Sequence, residues 1–380
     1  MLKPLFKYAG GKFEEYDKFS RYIPDEIVNY FEPFAGSCGV YLQLKNEDRI
    51  SNKSYINDIS NDLINFFKEI SKGTVADEVQ KINSSWKSLK DISSVICDEF
   101  GENFRQSVLC HNGKFDIDAV SKRLNELLND CSSISQMNFG KHNICEYIIN
   151  SLHDKVKRFS KKEIVDNIEN IVYMCISTAI YQGFYFTIRA MYNEWLNNET
   201  ATYTSSEKAA HWFFIREMCY GSMFRFNANG EFNIPYGGFS YNNKTFDKKI
   251  ENISSQETIN AFKDNICLSS LDFEDIITLA ESENDFMFLD PPYDSTFSDY
   301  DNNTFGRKEH ERLSNALKAT KCKWMMVIKN TEFIYNLYKD WCNIMSFDKK
   351  YMYQARGREY DNNVEHLVIT NYEIANPFGF

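Results

Sequence analysis

A short acidic and aromatic motif directly follows the apolar segment 286–289. Its residues are Asp290, Pro291, Pro292 and Tyr293. Parallel α/β sheets present their reactive groups at the carboxyl ends of strands, which is where this motif would lie. A carboxylate and a rigidly held backbone carbonyl are both hydrogen-bond acceptors, so together they can bind the two hydrogens of an NH2 group. The motif therefore predicts chemistry on an amine.

The exocyclic amine of a nucleobase needs such acceptors because its lone pair is delocalised into the ring. Two acceptors that pull on both hydrogens favour a pyramidal nitrogen with a free lone pair. The paired prolines fix φ and so aim the Pro291 carbonyl. Tyr293 can stack on a base that has been turned out of a duplex, as aromatic side chains do in base-modifying enzymes. We therefore interpret the motif as a site for a nucleobase amine.

A glycine-containing loop near the amino terminus is a candidate ligand site. Segment 28–31 predicts a strand, 32–39 a tight loop and 40–44 a helix. A ligand can lie close to the backbone amides of such a loop and to the amino end of its helix. Asp58 follows a second predicted strand, 53–57, about 20 residues beyond the loop, where an acid can bind a ribose diol.

The other predicted elements divide the chain into two kinds of region. Helical spacing predicts helices over 60–70, 75–89, 117–128, 161–183 and 310–320. Apolar runs predict further strands over 265–273, 286–289, 323–330 and 364–372. Alternating aromatic residues around Asn229-Gly230 predict a β-hairpin, which we place at 225–237.

These elements predict a discontinuous domain. Residues 1–74 and 255–380 should form a Rossmann-like α/β sheet that contains the catalytic site. Residues 75–254 should form a mostly helical insert that contains the hairpin. The fold class is therefore α/β with an inserted domain.

Composition and charge exclude several classes of protein. The chain has 380 residues, of which 43% are hydrophobic and 26% charged, so it is neither disordered nor fibrous. Its 43 basic and 54 acidic residues give a net charge of −11, which excludes a nonspecific polyanion binder. Basic segments at 153–162 and 318–358 flank the acidic catalytic region 281–301, an arrangement compatible with phosphate contacts at a rim.

The ten cysteines lack the spacing of zinc ligands, so we expect free thiols, a reducing cytoplasmic compartment and no metal. The amino terminus has no secretory apolar region. The apolar segment 171–191 is interrupted by polar residues, which predicts a core helix rather than a membrane span. We expect no membrane partner.

Six segments in one order resemble a known family. They are PLFKYAGGK (4–12), YFEPFAGSCGV (30–40), NDISNDL (57–63), RFNANGEFNIPYG (225–237), DPPYDSTFSDY (290–300) and VEHLVITNY (364–372). In these segments the sequence is similar to Dam-like S-adenosylmethionine-dependent DNA adenine-N6 methyltransferases, the class with an amino-terminal AGGK motif. The resemblance covers about half of the chain. It implies a methyltransferase sheet interrupted by a target-recognition domain.

The resemblance also implies roles for individual residues. Catalysis would involve the DPPY motif, Asp290 to Tyr293. Cofactor contacts are implied for Tyr8, Lys12, Phe34, Gly36, Cys38, Asp58, Asp272 and Asp290. DNA contacts are implied for Lys7, Arg225, Asn227 and Asn229. The implied partners are S-adenosylmethionine, which leaves as S-adenosylhomocysteine, and double-stranded DNA; such enzymes can also have a cognate restriction endonuclease.

Two positions depart from the family pattern. Cys38 occupies the second glycine of F-x-G-x-G. A negative φ would tolerate cysteine there, whereas a positive φ would require the loop to shift by a residue, for which Gly39 could compensate. Relatives that modify GATC tend to have a basic residue where this chain has Asn229, which argues against that target sequence.

The same residues are also compatible with other functions. The same pair of acceptors could serve cytosine N4, RNA or a protein glutamine, although such enzymes tend to have Ser or Asn at the position of Asp290. A catalytically silent subunit that only binds nucleic acid would predict damage to the motif or the loop. Of these residues only Cys38 favours a silent subunit.

Overall fold

The chain folds into two compact units. The structure is a computed structural model, and it describes residues 1–8, 10–109, 115–159, 168–197, 202–294, 305–350 and 363–374. The first unit, here called the sheet unit, comprises Met1–Lys72 and Ser255–Phe380. The second, the helical unit, comprises Gly73–Ser254.

The described residues of the sheet unit form a seven-stranded sheet. Its strands are β1 (Tyr30–Glu32), β2 (Ser54–Asn57), β3 (Ile266–Ser269), β4 (Phe286–Leu289), β5 (Lys323–Lys329), β6 (Asn343–Lys350) and β7 (Asn363–Thr370). Their spatial order is β3-β2-β1-β4-β5-β7-β6. β7 is antiparallel to both of its neighbours, and the other neighbouring strands are parallel. The predicted α/β class is therefore confirmed.

Helices cover the sheet and make up most of the helical unit. In chain order they are α1 (Tyr16–Phe19), α2 (Gly39–Asn46), α3 (Asn61–Lys72), α4 (Val75–Leu109), α5 (Ile117–Asp130), α6 (Ser132–Ser135), α7 (Ile144–Phe159), α8 (Ile168–Asn197), α9 (Ser205–Met218), α10 (Asp247–Ser254), α11 (Gln256–Ala261), α12 (Phe273–Thr278), α13 (Arg307–Ala319) and α14 (Glu332–Tyr338). Short 3-10 turns lie at Ser20–Tyr22, Tyr220–Ser222 and Phe239–Tyr241.

Burial explains the central strands. All four residues of β4 are buried, as are the five central residues of β5. Near-continuous apolar runs are typical of parallel strands that are covered on both faces. Because β1, β2 and β4 run parallel, the segments that follow Glu32, Asn57 and Leu289 emerge at the same edge of the sheet.

The strands differ from the sequence prediction chiefly at the start of β1, at the end of β3 and in the presence of β6. β1 begins at Tyr30 rather than residue 28, since Val28 is exposed and does not contribute to the core. The predicted strand 265–273 ends at Ser269, because the Asp272 side chain caps α12. Strand β6, which the sequence did not predict, lies at the sheet edge.

The long apolar helix α8 lies in the core of the helical unit. It is long and apolar enough to span a membrane, but 72% of its most apolar window is buried inside the protein. Ile176, Ile180, Phe184 and Ile188 are fully buried. The predicted core helix is confirmed over the described residues, and the predicted helical residues 161–167 lie outside them.

The hairpin 225–237 is shorter than its aromatic alternation suggests. A single antiparallel bridge joins Phe226 to Phe232. Gly230 has φ +76, the left-handed conformation that a tight hairpin turn favours. The hairpin is therefore a bridged turn rather than a pair of full strands.

Two helical glycines give a matched test of packing in the helical unit. A Cβ on Gly183 of α8 would lie 2.5 Å from the Ile148 Cα of α7, so we expect Gly183→Ala to lower the free energy of unfolding by about 2 kcal/mol. A Cβ on Gly101 of α4 would meet Val172 at 3.6 Å, an ordinary contact. We expect Gly101→Ala to be neutral or to stabilise by about 0.5 kcal/mol, because alanine favours helix. Denaturant unfolding measures both, and equal effects would contradict this packing.

Candidate active site

The AGGK segment and the DPPY motif meet at the side chain of Lys12. Its Nζ donates to Asp290 Oδ1 at 2.5 Å, to the Tyr293 hydroxyl at 3.1 Å and to the Gly10 carbonyl at 2.9 Å. The Lys12 side chain is only 2% exposed. An ammonium has three hydrogens to donate, so these acceptors use all of them. One oxygen of Asp290 is thereby fixed by a buried charge.

A second carboxyl group lies on β1, the strand that pairs with β4. Glu32, at the end of β1, is buried and accepts a hydrogen bond from the Tyr30 hydroxyl at 3.0 Å. Burial raises the pKa of Glu32 well above its ordinary value, and the charge of Asp290 raises it further. The neutral form of Glu32 is therefore favoured. Sequence reasoning missed Glu32, because the prediction placed it in the loop after β1 rather than at the end of the strand.

The DPPY motif is anchored at both ends. Asp290 lies directly after β4, and its side chain is 19% exposed. Pro291 is buried and Pro292 half-buried. The ring of Tyr293 packs edge-on against the buried His366 of β7, with 5.6 Å between ring centroids. A carboxylate, a stiff backbone and an aromatic ring are thus held together at the strand end.

The glycine loop after β1 has no room for a larger residue at Gly36. This residue has φ +47, and a Cβ would lie 3.0 Å from a ring carbon of Tyr8. Its backbone N–H donates to Asp58 Oδ2 at 3.0 Å. The loop therefore brings together three of the predicted cofactor residues, Tyr8, Gly36 and Asp58.

Cys38 itself takes the left-handed conformation, with φ 56 and ψ 33. The positive φ thus stays at Cys38 rather than moving to Gly39, at a cost of about 1 kcal/mol. Gly39 is required for another reason, since a Cβ there would lie 2.9 Å from the Phe13 nitrogen. The Cys38 thiol is fully buried, and burial raises its pKa well above the ordinary value.

The two predicted cofactor acids, Asp58 and Asp272, also make structural hydrogen bonds. Asp58 Oδ1 accepts from the Ser60 N–H at the start of α3. Asp272 caps α12 by accepting from the Glu274 N–H at 3.0 Å, and it forms an ion pair of 2.9 Å with Arg312. Each acid therefore shapes its loop, and its contact with a cofactor stays a prediction.

Asn57, which sequence reasoning missed, ties three strand ends together. Its Nδ2 donates to the carbonyls of Pro33 and Leu271, at 3.1 and 3.0 Å. Its Oδ1 accepts from the Leu271 N–H and the Ser269 hydroxyl, both at 2.8 Å. The side chain is buried, so all of these bonds are shielded from water.

Comparison with known proteins decides the family. The profile of the D12 class of N6 adenine-specific DNA methyltransferases matches residues 8–105 and 132–353. This chain belongs to that class. Its activity is accordingly site-specific methylation of adenine N6 in DNA, with S-adenosylmethionine as the methyl donor. The resemblance to Dam-like enzymes is confirmed.

Individual relatives agree with this family along nearly the whole chain. The type II methyltransferase M.CviBI of Paramecium bursaria Chlorella virus NC1A is 27% identical over 98% of this chain and 100% of its own length. The type II methyltransferase M.MjaIII of Methanocaldococcus jannaschii is 24% identical over 98% of this chain and 99% of its own length. M1.LlaDCHI, a type II methyltransferase of Lactococcus lactis subsp. cremoris, is 23% identical over 98% of this chain.

The strand ends of the methyltransferase fit the adenosine part of S-adenosylmethionine. Ile59 follows Asp58 and is 76% exposed, and Leu271 precedes Asp272 and is 48% exposed. Phe34 packs against Phe273 with 5.6 Å between ring centroids. Exposed apolar side chains beside two acids match a ligand that joins a flat base to a ribose.

The predicted DNA-contacting residues lie on both units. Lys7 is exposed on the sheet unit, and Arg225 and Asn229 are exposed on the helical unit. Asn227 instead organises the hairpin, because its Oδ1 accepts from the N–H groups of Asn229 and Glu231 at 2.9 and 3.0 Å. The described residues contain no group of three or more His, Cys, Asp or Glu side chains that could hold a metal.

Replacing Lys12 by methionine tests the buried pair. Lys12→Met preserves side-chain length but leaves Asp290 without its counter-charge, so we expect kcat to fall by about 100-fold. The measurement is methylation at saturating DNA and S-adenosylmethionine. Lys18→Met, at an exposed position on α1, is the control and should behave as wild type. A Lys12→Met enzyme with wild-type kcat would contradict this role.

Thiol labelling tests the environment of Cys38. Because Cys38 is fully buried and has a raised pKa, we expect it to react only after unfolding. Cys131 is half-buried; burial alone would raise its pKa, but hydrogen bonds led by that of Ser133 lower it overall. Peptide mapping after brief labelling should therefore find Cys131 modified before Cys38. Equal labelling of both thiols in the native enzyme would show that the loop is open.

Proposed function

We propose that the DPPY motif methylates an adenine that has been turned out of duplex DNA. The observation that carries this assignment is the buried Lys12 ammonium, which binds Asp290 and Tyr293 together at the end of β4. This end of a parallel strand is where α/β enzymes act on their ligands.

The two acceptors of the motif would activate the adenine amine. Asp290 accepts one hydrogen of N6 and the Pro291 carbonyl accepts the other, while Tyr293 stacks on the base. S-adenosylmethionine, when bound, supplies a methyl group on a sulfonium and leaves as S-adenosylhomocysteine; the bond from N6 to the methyl carbon would form as the sulfur–carbon bond breaks, and N6 would release one proton to water. Because Lys12 binds the Asp290 carboxylate, the acceptor is already oriented before the adenine arrives. Catalysis would therefore rest on positioning and preorganised acceptors.

The glycine loop and the neighbouring strand ends would hold the methyl donor. Tyr8, Phe34, Gly36, Cys38, Asp58 and Asp272 are the proposed cofactor residues. Cys38 would contribute through its backbone, since its side chain is buried. Lys12 differs from the sequence expectation, because its ammonium is used by protein acceptors; we assign it to the positioning of Asp290.

The two units would have separate functions, catalysis and DNA recognition. The sheet unit would be the catalytic domain, and the insert 75–254 the target-recognition domain. The exposed Arg225 and Asn229 of the hairpin, together with Lys7, are the proposed DNA contacts. The type II relatives favour a role in restriction-modification inside the cell, with a cognate endonuclease as partner.

Removing the Asp290 carboxylate tests the catalytic assignment. We expect Asp290→Ala to abolish methylation while calorimetry still detects S-adenosylmethionine binding and fluorescence anisotropy still detects DNA binding. The loss follows because no carboxylate would remain to accept an N6 hydrogen. Glu283→Ala, which removes an exposed acid just before β4, should remain active. Wild-type turnover by Asp290→Ala would contradict the assignment of Asp290 as a catalytic residue.

The target sequence can be read from cells that express the protein. Modification-sensitive long-read sequencing should find N6-methyladenine in one recurring sequence with the wild-type enzyme and none with Asp290→Ala. Unmarked adenine in both strains, from soluble protein, would contradict the proposed function.

A further inference from the structure

Three side chains on one face of α8 hydrogen-bond the second half of the hairpin. The Tyr185 hydroxyl donates to the Ile234 carbonyl at 2.9 Å, and Arg189 Nη1 donates to the same carbonyl at 3.1 Å. Asn193 Nδ2 donates to the Phe232 carbonyl at 3.0 Å. Residues four positions apart lie on the same face of a helix. We call Tyr185, Arg189 and Asn193 the α8 ladder.

Asn193 binds the hairpin as a neighbouring strand would. Besides donating to the Phe232 carbonyl, its Oδ1 accepts from the Phe232 N–H at 2.9 Å. Both backbone groups of Phe232 are thus satisfied by one amide side chain. The hairpin has only one bridge of its own, from Phe226 to Phe232. The bonds from Asn193 therefore replace backbone hydrogen bonds that a longer pair of strands would make.

The ladder anchors a hairpin whose base is buried and whose tip is exposed. Phe232 and Ile234 are buried, and Phe232 packs on Phe224 with 4.6 Å between ring centroids. Arg225 and Asn229 are exposed. The ladder therefore connects the exposed tip to the rigid core helix of the helical unit.

Neither Arg189 nor Asn193 is explained by the packing of α8 alone. Both are half-buried polar residues in the carboxyl-terminal half of α8, a helix whose sequence is mostly apolar. Arg189 also lies over the Phe186 ring at 4.5 Å, which fixes the direction of its guanidinium. Their polar atoms are directed at hairpin carbonyls, so their positions serve the hairpin.

We propose that the α8 ladder sets the sequence specificity of this methyltransferase by holding the hairpin in one position. The inference rests on the proposed role of the hairpin in DNA recognition. The ladder residues act through the hairpin backbone and are positioning residues. A hairpin released from Asn193 would meet several DNA sequences with similar affinity, because its tip would no longer be fixed relative to the core.

The test compares Asn193→Leu with a control, Thr187→Val, that removes a different buried polar group from the same helix. Asn193→Leu leaves both backbone groups of Phe232 unpaired, so we expect kcat/KM for the target DNA to fall by about tenfold or more. The discrimination between the target site and sites with one changed base should fall too, while KM for S-adenosylmethionine stays unchanged. Thr187→Val removes the bond from Thr187 to the Gly183 carbonyl within α8, at 2.9 Å, and should leave discrimination unchanged.

A second variant guards against a misfolded protein. Arg189→Met keeps the volume of the side chain but removes its bonds to the hairpin carbonyls. We expect it to lower discrimination in the same direction as Asn193→Leu. Discrimination equal to wild type in a folded Asn193→Leu or Arg189→Met enzyme would overturn the proposal.

The result is separable from failure of the proposed function. If the wild-type enzyme marks no adenine, the proposed function fails and the ladder has nothing to position. If the wild type is active and Arg225→Ala weakens DNA binding but the ladder variants keep full discrimination, only the ladder proposal fails.

Discussion

The catalytic end of the sheet depends on one buried ion pair, between the Lys12 ammonium and the Asp290 carboxylate. The two residues are 278 positions apart, so their contact fixes the amino-terminal segment to the carboxyl end of β4. Removing one partner of such a pair leaves an uncompensated buried charge, which costs far more than the net worth of the pair. The same ammonium binds the Tyr293 hydroxyl and the Gly10 carbonyl. The carboxylate and the aromatic ring are therefore oriented together before any substrate binds.

Around this pair, polar side chains that bind backbone groups determine the shape of the loops. Asn57 joins the segments that follow β1, β2 and β3, and Asp58 holds Gly36 in the left-handed conformation. In the helical unit the α8 ladder does the same for the hairpin. In each case a buried or half-buried side chain supplies bonds that the irregular backbone does not make for itself, so ligand-binding loops can be rigid without being regular.

The sequence predicts the elements whose apolar residues repeat with the period of a helix or a strand, and those that contain a characteristic turn sequence. The apolar run of β4 predicts a strand, and the Asn229-Gly230 pair predicts a hairpin. Because parallel strands end at the same edge of a sheet, the sequence also places the glycine loop and the DPPY motif at one edge. Glu32 and Asn57 could not be assigned roles, because a single polar residue beside a strand end has no pattern. The positive φ of Cys38 also depends on context, since cysteine rarely adopts it and the surrounding loop imposes it. Apolar and polar residues do not alternate regularly in β6, so its sequence does not predict a strand.

Lys12 holds Asp290 in place, and a double-mutant cycle measures the coupling between the two side chains directly. The free energies of unfolding of wild type, Lys12→Met, Asp290→Asn and the double variant give the coupling between the two side chains. We predict a coupling of at least about 1.5 kcal/mol, since both groups are largely removed from water. Effects that add to within about 0.5 kcal/mol would show that the two residues are energetically independent and would contradict the claim.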